Sequence, residues 1–484
     1  MKDVFIKFIA LSIMGVFIVT SNLNAQRVTV SPEISIRNDF SYHVIGEVGE
    51  SILLYQDKGN DKKVLLFDPN LVLKSERQLQ FENRRVRIFD LLNIDSAFCV
   101  FYGFASKEGM TTRMNVYSES AELLDSVEIT MEEHHWRGLD YEIIFSEDNS
   151  KIALYSIQDK DKLKLVVFDV HRKERLIKEE YIIQNVDLDD ELIQTIITDE
   201  GRFIMLTEWN NNRTNRKDHQ LVIYDFTKSG KSANEIIIPM NDIVTQDVMM
   251  SFENDSKILG LAALYSEKRL SESKGFIWLA SRLDQFDNVS IDLSPFDDEV
   301  IFEVYGSQKK DRLEDFSISD IFWKADGSPI LMFEMSVDLS RRSAGLVPYS
   351  DGVTNYGSLR GWSDHYREDI IVVSLDNTGN KKWHQVFYKK QFSQNDGAAF
   401  SSYFPFETPS RLRLIYNDEI KNSSTVSEYI FDGAGNFKRT SVLSTEYQNL
   451  KLRFQDGLQL SSSELLVPSQ KNYNLALVKI DFKK

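Results

Sequence analysis

The side chains best suited to recognition chemistry are concentrated in the last third of the chain. Arginine, tyrosine and tryptophan dominate binding surfaces because they combine large contact areas with directional hydrogen bonds. Residues 337–368 are rich in these types and contain Arg341, Arg342, Tyr349, Tyr356, Arg360, Trp362 and Tyr366. Two later segments add amide and charged groups at Lys390, Gln391, Asn395, Asp396, Tyr416, Asn417 and Asp418. We predict that these residues form a binding surface for a protein or a glycan.

Catalytic chemistry has no comparable signal in the sequence. The sequence contains no Gly-x-Ser-x-Gly, Walker, Gly-x-Gly-x-x-Gly or His-Glu-x-x-His pattern. His134 and His135 are adjacent, so on an extended strand they would face opposite ways and could not share a metal ion. A near match to a sialidase-type Asp box, with glycine and tryptophan displaced, consists of Ser374, Asp376, Gly379 and Trp383. We therefore assign no catalytic, cofactor-binding or metal-binding residue.

Charge and composition exclude several classes of partner. The 484 residues include 57 basic and 74 acidic side chains, which give a net charge of -17. Such a surface repels phosphate backbones and anionic lipids, which argues against nucleic-acid or membrane-surface binding. Hydrophobic residues make up 42% of the chain, close to the globular average, so the chain is expected to fold around a sizeable core. We expect a monomer without a cofactor.

Residues 1–25 have the pattern of a cleaved secretory signal. Lys2 and Lys7 precede an apolar run at residues 8–19, and a polar stretch ends at Ala25. The apolar run is too short to span a bilayer, so we expect export to the periplasm or exterior, with Gln26 as the first mature residue and no membrane span after cleavage. The sole cysteine, Cys99, lies in an apolar run and is predicted to be a buried thiol.

The rest of the chain is a succession of short β-strand patterns. Runs of five to eight residues rich in Val, Ile, Phe and Tyr are bounded by Asp, Asn, Gly and Ser. Only residues 185–197 resemble a helix, and there a strand with an acidic lead-in is an equal alternative. Strands that end in an apolar residue and Asp recur every 49 to 59 residues, apart from one interval of 92. That interval contains the insertion at residues 337–368.

Each repeat holds four strand-like runs, which is typical of a β-propeller. We predict an all-β fold at residues 26–484, a single β-propeller with eight four-stranded blades. Seven blades, or two separate β-domains, are the alternatives. The last repeat has only three runs, at residues 450–454, 464–467 and 475–482. The N-terminal segment, residues 27–36, is therefore expected to supply the missing strand beside residues 475–482 or beside the run 465–467, because a ring must leave no sheet edge open.

One blade also resembles a known motif. Residues 369–387 contain a strand ending in Leu375-Asp376, a turn with Gly379, and Trp383 at the start of the next strand. This pattern resembles the blades of quinoprotein dehydrogenases and of outer-membrane assembly propellers, and residues 431–437 form a partial second copy. The stretch 334–416 resembles uncharacterised exported propeller proteins of Bacteroidota. The resemblance implies a propeller and a lineage, without a cofactor site or an activity.

Strand order predicts where such a protein would bind its partner. In an up-and-down blade, the connections between the second and third strands and those between blades emerge on one face. Long connections at residues 134–139, 209–219, 266–274, 337–368, 389–398 and 417–425 all fall there, whereas the other face receives tight turns. Functional residues concentrate on long loops held by a rigid scaffold. We predict a binding or scaffolding module, with a carbohydrate-active hydrolase or lyase as the alternative.

Overall fold

The short apolar runs form strands in the computed structural model, and the strands assemble into eight antiparallel sheets. First strands of successive sheets contact one another around the ring, so each sheet is a blade of a β-propeller with its first strand innermost. The prediction of eight four-stranded blades is confirmed, and the alternatives of seven blades and of two β-domains are wrong. The structure describes residues 26–37, 39, 41–94, 96–132, 141–212, 216–227, 232–267, 272–288, 291–307, 309–342, 361–420, 425–443, 447 and 449–483.

The strands follow the blades in chain order. Two N-terminal strands are β1 (Arg27–Val30) and β2 (Ile34–Ser35). Blades 1 and 2 are β3 (Ser41–Val48), β4 (Ser51–Asp57), β5 (Lys62–Phe67), β6 (Leu73–Gln78), β7 (Arg87–Ile94), β8 (Ala97–Ala105), β9 (Met110–Ser118) and β10 (Leu123–Glu132). Blades 3 and 4 are β11 (Glu142–Phe145), β12 (Lys151–Gln158), β13 (Lys162–Asp169), β14 (Glu174–Ile182), β15 (Leu192–Ile197), β16 (Phe203–Trp209), β17 (His219–Phe226) and β18 (Asn234–Asn241).

The second half of the ring carries the longer additions. Blade 5 is β19 (Val244–Glu253), β20 (Ile258–Ser266), β22 (Gly275–Arg282) and β23 (Leu293–Pro295), and β21 (Glu272–Ser273) pairs with β24 (Leu313–Glu314). Blade 6 is β25 (Phe316–Trp323), β26 (Pro329–Arg342), β27 (Gly361–Leu375) and β28 (Lys381–Phe387), with β29 (Gln391–Gln394) added to β27. Blade 7 is β30 (Tyr403–Thr408), β31 (Arg411–Glu419), β32 (Thr425–Asp432) and β33 (Phe437–Ser441). Blade 8 contains β34 (Leu458–Ser461), β35 (Glu464–Lys471) and β36 (Asn474–Asp481).

The N-terminal segment closes the ring, as predicted. β1 pairs antiparallel with β36, from Arg27 opposite Asp481 to Val30 opposite Val478, and becomes the outer strand of blade 8. The inner strand of this blade is β34, whereas residues 450–454, predicted to be a strand, form one isolated bridge at Leu452 and the start of a 3₁₀ turn. The run 450–454 is apolar because Leu452 and Phe454 pack into the seam between blades 7 and 8.

Within the described residues, α-helices occur only in connections between blades. Helix α1 (Leu188–Glu191) is one turn, and β15 follows it directly, so the strand with an acidic lead-in was the better interpretation of residues 185–197. Helix α2 (Asp298–Tyr305) was not predicted, and it ends at Gly306, whose φ of 63° is the left-handed conformation of a helix C-terminus. No described helix is long and apolar enough to cross a membrane.

The core consists of eight apolar clusters, one in each seam between neighbouring blades. Side chains alternate along each strand, so both faces of every blade are buried against its neighbours. The cluster between blades 8 and 1 brings Leu475 and Leu477 against Leu54 and Phe67, and so joins the two ends of the chain. Cys99 lies in the cluster between blades 2 and 3 without a disulfide partner, and burial raises the pKa of its thiol to about 12.

The aspartate that marks the repeat has a structural role. It follows or ends the third strand of a blade, and at Asp68, Asp169, Asp376 and Asp432 the carboxylate accepts backbone N–H groups of the turn to the fourth strand. Asp376 Oδ1 accepts from the amides of Thr378 and Asn380, each at 2.9 Å, and Asp432 Oδ1 accepts from the amides of Ala434 and Asn436 at 3.0 Å. This turn chemistry accounts for the Asp-box-like pattern without a ligand.

Candidate functional site

The connections divide between two faces, as the strand order predicts. Turns at residues 146–150, 254–257, 324–328 and 376–380 lie on one face, which we name the tight-turn face. Connections within residues 209–219, 266–274, 342–361, 388–402 and 442–457 leave the other, the long-loop face. The tight-turn face also carries two longer connections, between β17 and β18 and between β22 and β23. The predicted binding residues therefore have to be located on the long-loop face of blades 6 to 8.

The insertion extends blade 6 as a β-hairpin. Beyond the blade, Ser336 to Arg342 pairs with Gly361 to Arg367, and β29 adds a third strand opposite residues 364–367. Arg341 lies opposite Trp362, and Arg342 opposite Gly361, in the register of this hairpin. Tyr366 contacts Phe392 with ring centroids 5.0 Å apart. The hairpin tip with Tyr349, Tyr356 and Arg360 lies outside the described residues.

A charged cluster fixes the base of the hairpin. The Arg367 guanidinium donates two hydrogen bonds to the Asp338 carboxylate, at 2.9 and 3.1 Å, and His365 Nδ1 lies 2.7 Å from the same group. Hydrogen bonding from Arg367 lowers the pKa of Asp338, so this carboxylate is ionised at neutral pH. Arg367 and His365 are therefore both engaged with Asp338 within the hairpin.

Three of the predicted binding residues are buried. Gln391 Nε2 donates to the Asn417 carbonyl at 2.8 Å, and Asn417 Nδ2 donates to the carbonyls of Phe400 and Leu452. Tyr416 is fully buried between blades 6 and 7. These groups attach the connection at residues 388–402 to blades 7 and 8. Of the remaining described members of the set, Lys390 and Asn395 are exposed, and Asp396 and Asp418 are partly exposed.

Beneath this connection lies a buried ion pair. Lys389 Nζ lies 2.5 Å from Glu334 Oε1, and the two side chains are 0% and 6% exposed. Lys389 also donates to Gln391 Oε1 at 2.9 Å, and Ser402 Oγ donates to Glu334 Oε2 at 2.9 Å. Burial lowers the pKa of Lys389, partly offset by Glu334. The pair therefore joins blade 6 to the connection that forms one edge of the site.

A second buried carboxyl group lies nearby, between the inner strands of blades 6 and 7. Asp320 Oδ2 accepts a hydrogen bond from Tyr403 Oη at 2.5 Å, and Ser319 Oγ lies 2.7 Å from the same hydroxyl, to which it can donate. Burial raises the pKa of Asp320 from 3.8 to about 6, opposed by the hydrogen bond from Tyr403 and reinforced by the charge of Glu334.

We predict that Asp320 makes the protein less stable as the pH rises through this range. The folded pKa exceeds the unfolded value, so the folded state binds more protons between pH 3.8 and about 6 and loses stability over that interval. Asp320→Asn should raise the free energy of unfolding at pH 7.5 by roughly 2 kcal/mol and have little effect near pH 4. Urea unfolding at both pH values measures this difference. Equal shifts at the two pH values would contradict the assignment.

Two adjoining cavities open on the long-loop face, and we name them together the seam depression. One, of about 590 Å³, lies at the closure between blades 8 and 1 and is lined by Ile36, Asp39, Ser41, Tyr42, His43, Val44, Arg453, Gln455, Asp456, Gly457 and Leu458. The other, of about 410 Å³, is lined by Asn395, Asp396, Phe400, Lys451, Arg453, Gln470 and Asn472. Two predicted residues, Asn395 and Asp396, therefore contribute to the seam depression.

Arg453 lies at the boundary of the two cavities. Its Nε donates to Asp456 Oδ2 at 2.5 Å and its Nη1 donates to Gln470 Oε1 at 2.8 Å. The guanidinium carbon lies 5.8 Å from the ring centroids of both Tyr42 and Phe400. Ion pairing and two aromatic neighbours hold the planar guanidinium in one orientation, which is a preorganised surface for hydrogen-bonding ligands.

The other titratable groups of the seam depression are mostly neutral or paired. Burial raises the pKa of Tyr42, whose hydroxyl donates to Asp456 at 2.8 Å. Burial lowers the pKa of His43, although its Nδ1 lies 3.8 Å from Asp90 Oδ1. Lys451 differs, because its ammonium has no hydrogen bond or ion pair with any residue in the described part of the chain. This ammonium is therefore available to a partner.

The carboxylates of the larger cavity are both engaged with cations. Asp39 lies 3.4 Å from Lys58 Nζ, and Asp456 is bonded to Arg453. Glycoside hydrolysis needs one carboxyl group that stays protonated and a second that acts as nucleophile or base. Asp39 and Asp456 are both paired with cations, so this cavity does not provide one protonated and one ionised carboxyl group. Among the described residues, no cluster of three His, Cys, Asp or Glu side chains is placed to hold a metal ion. The arrangement is suited to recognition.

Sequence reasoning missed most of the seam depression. Tyr42 and Asp456 are separated by 414 positions and meet only because the ring closes. The one sequence signal that pointed to the seam depression was the predicted ring closure. A closed ring requires residues 31–40 to leave blade 8 beside the connection at residues 442–457. Arg453 and Lys451 were interpreted as part of a strand and were not considered as site residues.

Comparisons with known proteins give only distant structural similarity. No family model and no curated protein matches this sequence. The β-propeller domain of the trilobed protease from Pyrococcus furiosus is similar over 84% of this chain and 98% of that one, with 10% identity and a TM-score of 0.36. A polysaccharide lyase of family PL25, an ulvan lyase, is similar over 81% of this chain and 91% of that one, with 11% identity and a TM-score of 0.36.

A prolyl endopeptidase is similar over 90% of this chain, with 6% identity and a TM-score of 0.39, and this chain spans 55% of its length. The chain is thus similar to propeller proteins in architecture. Identities this low transfer neither an active site nor a substrate.

Proposed function

We propose that this chain is an exported β-propeller of the kind found in Bacteroidota, acting as a binding or scaffolding module in the periplasm or outside the cell. Its partner, a glycan or a protein, docks on the long-loop face across the seam depression and the hairpin of blade 6. The observation that carries this proposal is the pair of cavities sharing Arg453, beside residues that the sequence predicted for binding.

The chemistry of the seam depression supports recognition of a polar ligand. The side-chain amides of Asn395, Asn472 and Gln470 each carry a hydrogen-bond donor and an acceptor, and Phe400 provides an aromatic surface. Groups of this kind match the hydroxyls and apolar faces of sugars as well as the backbone of a peptide. Lys451 adds an ammonium that has no partner among the described residues, which favours a ligand with at least one anionic group. The partner docks on a monomer of this protein. The signal at residues 1–25 exports the protein to the compartment that contains the partner.

We predict that two changes on the long-loop face abolish binding without unfolding the protein. In the first, residues 343–360 are replaced by Asn-Gly, which closes a two-residue hairpin after Arg342. In the second, Lys451→Ala removes the unpaired ammonium, and affinity should fall about tenfold or more. Melting temperatures should stay nearly unchanged, since neither change touches a blade. Affinity electrophoresis in neutral glucan, polygalacturonate and alginate, together with cross-linking to an envelope extract, measures binding.

The matched control is Lys382→Ala, an exposed lysine on the tight-turn face. It should retain full binding. If both long-loop variants bind as the unchanged protein does, or if Lys382→Ala is the one that loses binding, the working surface is not the long-loop face.

A further inference from the structure

A third cavity opens on the opposite, tight-turn face, between blades 6 and 7. Its volume is about 390 Å³, within the range of roughly 300–1,000 Å³ that small-molecule sites occupy. Its apolar wall comes from the seam core, where Ile330, Leu412 and Phe431 are buried and Phe322 is partly buried. No part of it belongs to the seam depression, so it is independent of the proposed function.

The cavity exists because this end of the seam lacks a large side chain. The turn between the first two strands of blade 7 consists only of Pro409 and Ser410. Trp323, which ends the inner strand of blade 6, is directed toward blade 5, where its Nε1 donates to Ser251 Oγ at 2.9 Å and its ring lies 5.6 Å from Trp278. Ala325 and Gly433 complete the rim with small groups. The space is therefore a built feature of these particular residues.

The lining of this cavity carries the basic groups Lys324 and Arg411 and the acidic groups Asp326, Glu407 and Asp432, of which Lys324 and Glu407 form no ion pair with a described residue. Lys324 Nζ donates only to uncharged acceptors, Ser374 Oγ at 2.9 Å and the Leu375 carbonyl at 3.2 Å. The Glu407 carboxylate has no hydrogen bond or ion pair with any residue that the structure describes, although its backbone bonds to Gln459. Burial lowers the pKa of Lys324, an effect partly offset by the charges of Asp326 and Asp376, and burial raises the pKa of Glu407.

We propose that this cavity binds a small zwitterion with an apolar body, of the size of an apolar dipeptide. The ligand's ammonium lies at Glu407, its carboxylate lies at Lys324 with Arg411 at the rim, and its side chains cover Leu412 and Phe431. Such a ligand places an ammonium beside the unpaired Glu407 carboxylate and a carboxylate beside the Lys324 ammonium, and it removes apolar surface from water. A purely apolar ligand would leave Glu407 and Lys324 without these contacts, and a purely ionic one would leave the apolar wall uncovered.

The test is a chemical double-mutant cycle by isothermal titration calorimetry with the full chain and the dipeptide Leu-Phe. N-acetylation removes the ligand's ammonium, and C-amidation removes its carboxylate. We expect N-acetylation to weaken binding about tenfold in the unchanged protein and to have no effect in Glu407→Gln, since the partner group is already gone. C-amidation should weaken binding about tenfold in the unchanged protein and by less in Lys324→Met, where only Arg411 remains near the ligand's carboxylate. Gly-Ser, which carries the same charges without the apolar body, should bind at least about tenfold more weakly.

Glu50→Gln is the matched control, an exposed glutamate in the tight turn of blade 1, and it should bind Leu-Phe with unchanged affinity. If Lys324→Met melts at a lower temperature, the comparison of Leu-Phe with its amide in the unchanged protein still tests the carboxylate contact. Absence of binding at millimolar Leu-Phe overturns the proposal. So does an acetylation effect of equal size in Glu407→Gln, or equal affinity for Gly-Ser.

Discussion

Deletion of residues 26–36 is expected to abolish the soluble monomer. This segment supplies β1 and β2, which pair with β36 along most of its length, and Ser31 exchanges hydrogen bonds with Leu477 between them. Its removal exposes the row of backbone N–H and C=O groups of β36. It also opens the two seams that Val28 and Ile34 help to cover. An unpaired edge of this length is a template for pairing with another chain, so aggregation should accompany the loss of stability.

Size-exclusion chromatography and thermal unfolding measure this effect. The matched control is the replacement of residues 343–360, a longer deletion that leaves every blade intact. A synthetic peptide of residues 26–37 added during refolding should restore monomer by adding the missing strand in trans. A deleted protein that stays monomeric with an unchanged melting temperature would show that the segment does not close the ring.

The second large effect is expected at the buried ion pair of Lys389 and Glu334. Removal of one partner leaves a desolvated charge, so Lys389→Met or Glu334→Gln alone should lower the free energy of unfolding by about 3–5 kcal/mol. The double variant Lys389→Met with Glu334→Gln should lose less than the sum of the two single changes, because no charge is left buried. Urea unfolding of the four proteins measures the coupling between the two side chains.

The control pair is Lys257 and Glu200, whose side chains are 48% and 57% exposed. Either single substitution there should change stability by less than about 1 kcal/mol, since water screens the charges. Additive effects at Lys389 and Glu334 would mean that the two side chains are not coupled in the folded protein. The pair would then not be what holds the connection at residues 388–402 against blade 6.

The fold was largely predictable because its signals are local and repeated. Strand alternation, and an aspartate that caps the turn after the third strand, recur in the blades, so small errors in single strands did not change the count. The inner strand of blade 8 shows the limit. Residues 458–461, Leu-Gln-Leu-Ser, are short and half polar, whereas residues 450–454 are more apolar and were chosen instead. Burial in a seam and membership of a strand give the same apolar signal.

The candidate site was less predictable for a related reason. Residue type does not reveal whether a polar side chain is buried. Gln391 and Asn417 were selected as amides on long connections, yet the structure buries them as ties between connections and blades. Asn395 and Asp396 were selected on the same grounds and do line the seam depression.

The sequence by itself determined the all-β class, the eight blades, the closing strand and the division into a long-loop face and a tight-turn face. Each of these follows from side-chain alternation, turn chemistry and the requirement that no sheet edge stay open. Only the tertiary structure decided which groups meet at the seam depression, where Arg453 lies between Tyr42 and Phe400. It also decided that a cavity opens on the tight-turn face. The reason is that ring closure joins residues hundreds of positions apart, and packing determines which seam is left unfilled.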